Sequence, residues 1–116
     1  MIKQLLAAVA APFLIATPTL AAPQTAVASW YGPGFEGNRT ANGEIYRQNG
    51  ISVAHKSLPF GTRVRICLPA TGRCVIARVN DRGPYIRGRS FDLSKGAADA
   101  IGLTGMGVGT ITYEYL

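Results

Sequence analysis

Two short stretches carry the cleanest alternation of apolar and polar positions in the chain. In "TRVRICL" (62–68), Val64, Ile66 and Leu68 alternate with Arg63, Arg65 and Cys67. In "CVIARV" (74–79), Val75, Ala77 and Val79 alternate with Cys74, Ile76 and Arg78. A period of two sends successive side chains to opposite faces, so each stretch predicts a strand with one buried face. Placing Cys67 opposite Cys74 across "LPATGR" sets Ile66 against Val75 and Val64 against Ala77. All four then face inward and both cysteines outward. This register predicts a hairpin closed by a Cys67–Cys74 disulfide, worth about 2.5 kcal/mol in the chain-entropy model; two free thiols are the alternative. It also sets Arg63 opposite Arg78, a like-charge pair that costs energy unless an acidic group or a bound anion lies between them.

The rest of the pattern is consistent with this hairpin. "TAVASWY" (25–31) predicts a first strand, reached through a short linker "PQTAVA" (23–28), and "GTITYEYL" (109–116) predicts the last. One helix is expected over "KGAADAI" (95–101), with Ser94 as its N-cap and Gly102 as its stop. The apolar step "SFDL" before it carries Asp92. Fourteen glycines and seven prolines scattered among short runs favour brief strands and tight turns. Mostly strands with one short helix point to a small, mainly β barrel.

At 116 residues the chain is one domain at most. Residues 1–22 read as an export signal rather than as structure: Met1-Ile2-Lys3-Gln4 is a short positive start, "LLAAVAAPFLIA" is too short an apolar run to span a bilayer comfortably, and "TLAA" (19–22) supplies small residues at a cleavage point. Cleavage after Ala21 or Ala22 leaves a domain at 23–116, without a stable membrane anchor and located in the periplasm or outside the cell; a retained anchor is the alternative. Export permits a disulfide. No coiled-coil heptad or internal repeat is visible, and a monomer is expected. The formal net charge is +6, which suits phospholipid, nucleic acid or an anionic envelope polymer; export sets nucleic acid aside.

Candidate chemistry is narrow. There is one histidine, His55, and the cysteines are better used as a bridge, so no metal cluster is expected, and no cofactor. No Gly-rich phosphate loop and no GxSxG elbow are present. Carboxylates remain. Of six acidic residues, Asp81 and Asp92 bracket "VNDRGPYIRGRSFDLS" (79–94), with Arg82, Arg87 and Arg89 between them. Cleaving a glycosidic bond needs a carboxylic acid that stays protonated near neutral pH. Burial raises a carboxyl pKa and nearby arginines lower it. Asp81, directly before Arg82, is expected as an ion-paired carboxylate, and Asp92, between Phe91 and Leu93, as the proton donor; a structural arginine-paired role is the alternative for either. Glu44 lies in the turn-rich "RTANGEIY", and Trp30, Tyr31 and Phe35 could form a stacking platform for sugar rings or belong to the core.

The ordered series "ASWYG…RTANGE…AHKSLPFGTRVR…VNDRGPY…GRSFDLSKGAA" closely resembles the rare lipoprotein A family of bacterial envelope proteins, over about residues 26–116. The resemblance implies a mainly β, six-stranded double-psi β-barrel with one or two short helices. It implies lytic transglycosylase activity on peptidoglycan glycan strands, with a preference for strands stripped of stem peptides. Such enzymes cut between N-acetylmuramic acid and N-acetylglucosamine, and the sugar's own 6-hydroxyl closes a 1,6-anhydro ring. One carboxyl group can then act first as acid and later as base. The family's motif residues fall on Glu44, His55 and Asp81. More distant barrel relatives, membrane-bound lytic transglycosylase A and a class of endoglucanases, point instead to Asp92 as donor, with Asp81 as the second carboxylate. Expansins share a similar "FDLS", which leaves a non-catalytic wall-binding or wall-loosening barrel as the alternative function.

In departure from the family's pattern, no lipid attachment and no C-terminal peptidoglycan-binding repeat domain are expected, so septal targeting is not implied; the cysteine pair is also outside that pattern. Arg82, Arg87 and Arg89 are expected to clamp the lactyl carboxylates exposed on stripped glycan. Trp30, Tyr31, Asn42 and Asn80, all within or beside the quoted motifs, complete the expected substrate-binding set.

Overall fold

The structure, a computed structural model, describes residues 22–116; the expected export signal lies almost wholly outside them. Six strands, β1 (Gln24–Trp30), β2 (Ser52–His55), β3 (Arg63–Leu68), β4 (Arg73–Asp81), β5 (Phe91–Leu93) and β6 (Val108–Tyr115), close a barrel in the order β1-β5-β2-β4-β3-β6. A single helix among the described residues, α1 (Lys95–Ile101), connects β5 to β6. β1 runs parallel to β5, and β2 parallel to β4; the other four pairings are antiparallel.

The β3–β4 hairpin has the expected register. Ile66 faces Val75, Val64 faces Ala77, Arg63 faces Arg78, and Cys67 pairs with Cys74, to which it is joined by a disulfide. Val64, Ile66, Leu68, Ala77 and Val79 point into a core completed by Phe91, Leu93, Ile111 and the helix residues Ala98 and Ile101. The expected linker is a correction: β1 already begins at Gln24, and Gln24 and Thr25 pair with Tyr113 and Thr112. The polar Gln24 obscured this, because at the end of the barrel its exposed side chain faces solvent while its backbone completes the ladder beside Tyr113.

Ser94 joins the helix to the strand that carries the site. Its hydroxyl accepts from Ala97 N, as an N-cap, and from Ser52 N in β2, and donates to Gly50 O. Gly96 allows the loop before β2 to lie directly against the helix start: a Cβ there would sit 2.6 Å from Gly50 O. At the other end Gly102 adopts φ +85°, and its N–H bonds back to Ala98 O. Removing the Ser94 hydroxyl leaves buried backbone groups of both elements without partners. Ser94→Ala is therefore expected to lower unfolding stability by about 2 kcal/mol, measured by urea denaturation; a change within 0.5 kcal/mol, roughly that of an indifferent surface site, would overturn the role given to it.

Candidate active site

Ala54 on β2 is the register partner of Asp92 on β5 and of Asp81 on β4. Ser29 on β1 is in turn the partner of Asp92. Four strands thus place Ser29, Asp92, Ala54 and Asp81 in one row, with the two aspartates separated by two inter-strand spacings, about 10 Å between Cα atoms. Phe91 and Leu93, the neighbours of Asp92, are wholly buried in the core, so the pleat turns Asp92 to the opposite, outer face. A register shift between Val53 and Ala54 brings Asp81 into the row.

The chain between β1 and β2 covers this face. Tyr31, Tyr46 and Ala54 form a separate buried cluster, with the two tyrosine rings stacked at 4.6 Å and Phe35 edge-on to Tyr31 at 5.6 Å. The Tyr31 hydroxyl donates to Asp81 Oδ2, and Ala41 N and Arg82 N each donate to Asp81 Oδ1 at 2.9 Å. Burial, followed by the bond to Asp81, pushes the Tyr31 phenol far above its ordinary range, so it remains a donor. Asp92 accepts from Ser29 Oγ at 3.0 Å. Burial raises its pKa, the Asp81 charge adds to the rise, and the Ser29 bond and the Arg89 charge oppose it. The two carboxylates therefore occupy different settings: one accepts three donors, and the other is desolvated with one.

Glu44 takes a different part. Arg78 grips it through two nitrogens at 2.8 and 2.9 Å, and Asn80 Nδ2 donates at 3.1 Å. Those bonds, Arg78's first, draw its pKa down to about 2. Glu44 thus supplies an acidic partner to Arg78, one member of the like-charge pair. Asn42 folds the same loop, accepting from Thr40 Oγ1 and Glu44 N and donating its backbone N–H to Asn80 O. Thus Asn42, Glu44, Asn80 and Asp81 are gathered by one loop laid over the end of β4.

Other candidates are not drawn in. His55 Nδ1 accepts from Ser57 N and Leu58 N, its ring packs on Phe91, and it has no hydrogen bond to Glu44, Asp81 or Asp92. Burial, then Arg82 and Lys56, lowers its pKa, which keeps it a neutral turn cap. Arg82 requires a correction. Its guanidinium does not pair with Asp81 but reaches Leu58 O at 2.9 Å and His55 O at 3.3 Å and lies 3.9 Å over the Phe60 ring, because consecutive residues at a strand end point to opposite sides. Trp30 is half-buried against the core and donates its indole N–H to Thr104 O; Tyr31 is 8 % exposed, whereas Phe35 is 47 % exposed. Arg87 is exposed, with no ion pair among the described residues, and Arg89 is half-buried near Asp92. Sequence reading missed Ser29 and Tyr46. A serine at an outward position of an otherwise apolar strand was the available signal for the first; no local pattern marked the second. No group of three or more metal-ligating side chains gathers among the described residues.

Carboxyl-resolved NMR titration is expected to place the Glu44 midpoint near pH 2 and the Asp92 midpoint above the ordinary aspartate value of about 3.9. Ser29→Ala should raise the Asp92 midpoint further, since the lost bond favoured the ionised form. An Asp92 midpoint at or below the ordinary value would contradict the geometry.

Known proteins resemble the chain in sequence and in fold. A family model described as lytic transglycolase matches residues 24–113. The chain is 54% identical over 88 residues to a "Probable endolytic peptidoglycan transglycosylase RlpA" of Synechocystis, covering 76% of this chain and 27% of that protein. It is 47% identical over 90 residues to the "Endolytic peptidoglycan transglycosylase RlpA" of Campylobacter jejuni, covering 78% of this chain and 33% of that one. The chain thus spans about a third or less of the length of these relatives. An expansin of Clavibacter michiganensis shares the fold at a TM-score of 0.64 and 24% identity, over 82% of this chain and 50% of the other.

Proposed function

The chain belongs to the RlpA-like lytic transglycosylase family of double-psi β-barrels, and from that premise we propose that it cleaves peptidoglycan glycan strands between N-acetylmuramic acid and N-acetylglucosamine, leaving 1,6-anhydro ends. The observation that carries this reading is the row across β1, β5, β2 and β4, which presents a desolvated carboxyl and a multiply hydrogen-bonded one on the same face.

Asp92, with its raised pKa, is the acid. Its proton passes to the glycosidic oxygen as the bond from that oxygen to the anomeric carbon breaks. Asp81, oriented by Tyr31, Ala41 N and Arg82 N, faces the positive charge that develops on the sugar ring. Asp92, now ionised, takes the proton from the 6-hydroxyl as that oxygen closes on the anomeric carbon, so the carboxyl ends as it began. Glu44 positions the loop that lays Ala41 N on Asp81, and Arg87 and Arg89 remain the candidates for lactyl carboxylates on strands without stem peptides. The substrate lies in the cell envelope, and residues 1–22 are assigned to export. Phe35, exposed beside Tyr31, is the ring offered to sugar.

A second reading, a wall-binding barrel without catalysis, is favoured by one feature: Tyr31 is nearly buried over Asp81. Mass spectrometry of denuded glycan digested by residues 23–116 separates the two. Anhydro-muramic ends are expected from the wild type, reduced at least about 100-fold in Asp92→Asn. Activity should fall as pH rises through the Asp92 midpoint, and Ser29→Ala should move that fall to higher pH. Full activity in Asp92→Asn would remove Asp92 as the acid, and binding without anhydro ends would support the second reading.

A further inference from the structure

The strand directions gather two loops at one end of the barrel. β2 and β4 end there, and β3 and β5 begin there, so the β2–β3 loop (56–62) and the β4–β5 loop (82–90) are neighbours. They touch: Arg82 lies 3.9 Å over the Phe60 ring, and Lys56 Nζ donates to Arg89 O at 3.3 Å. The two loops carry four basic residues and no acidic one. Lys56, Arg87 and Arg89 have no ion pair among the described residues. Large apolar side chains stand among these charges. Phe60 is 41% exposed, Ile86 53% and Tyr85 76%. Neither the barrel core nor the aromatic cluster over Asp81 includes them.

This combination selects a partner. A second copy of the chain would bring cations against cations. An anionic bilayer matches every component: tyrosine sits at the level of lipid headgroups, aliphatic and phenyl groups just below it, and lysine and arginine against the phosphates. We propose that this end of the barrel docks reversibly on a bilayer surface containing anionic phospholipid, with Tyr85 and Ile86 entering the headgroup layer and Lys56, Arg87 and Arg89 facing phosphates. The contact is peripheral, since three exposed side chains bury far less apolar surface than a spanning helix. It goes beyond the glycan-cleaving reading and does not depend on it. Arg87 and Arg89 hold either a lipid phosphate or a lactyl carboxylate at one time.

Vesicle flotation of residues 23–116, which hold the whole barrel and its core, tests the proposal. Binding to phosphatidylglycerol–phosphatidylethanolamine vesicles is expected to be at least about tenfold tighter than to phosphatidylcholine vesicles, and to weaken at high salt. Tyr85→Ser combined with Ile86→Ser, at exposed positions that the fold tolerates, should weaken it at least about tenfold and leave digestion of denuded glycan unchanged. No binding to either vesicle, equal binding to both, or wild-type binding by the double variant would overturn the proposal. Slower glycan digestion by a double variant that still binds vesicles would give the loop to the glycan instead. A wild-type dimer that the double variant lacks would give it to a second copy, and either result also overturns the proposal. The vesicles contain no glycan, so a failure of the cleavage reading leaves this result standing, and the reverse holds equally.

Discussion

The pairing of β2 with two neighbours at once is the constraint on which the site depends. A residue in the middle of a sheet fixes what stands on both sides of it, and Ala54 stands between Asp92 and Asp81. Because β4 joins it in parallel and β5 antiparallel, residues far apart along the chain meet without either aspartate needing a flexible loop. The small side chain at this position matters equally. Ala54 is buried against Tyr31 and Tyr46, and a larger residue there would lift the aromatic cover from Asp81, at an overpacking cost of about 1–3 kcal/mol.

Much of this was legible in the chain. The hairpin register, the cystine and both helix caps followed from alternation and from residues whose backbone preferences are local. Asp92's apolar setting was legible for the same reason, since its two sequence neighbours are the ones that bury it. The fate of the arginines was not. Arg82 was expected on Asp81 because they are adjacent, yet adjacency in an extended chain separates side chains, and Arg82 supports the turn after His55 instead. Arg78, which the register marked only as a repulsion to be relieved, grips Glu44. Tyr46 was invisible because its role comes from a loop folding back over the barrel, which no periodicity records.

The distribution of charge sorts the acidic groups by task. Glu44 is exposed enough to be solvated and close enough to Arg78 to stay ionised, so it suits a fixed latch. Asp92 is short of donors and of water, so it can carry a proton. Asp81 accepts from a phenol and two backbone amides, which hold its orientation. A basic protein thus keeps three carboxylates in one region without their being equivalent.

β4 carries Cys74 as its second residue and Asp81 as its last. Roughly 20 Å of one strand therefore lies between the covalent staple and Asp81. The molecule has a stapled heel and a carboxylate toe on a single beam, so the bond that resists unfolding sits at the far end of the strand from Asp81.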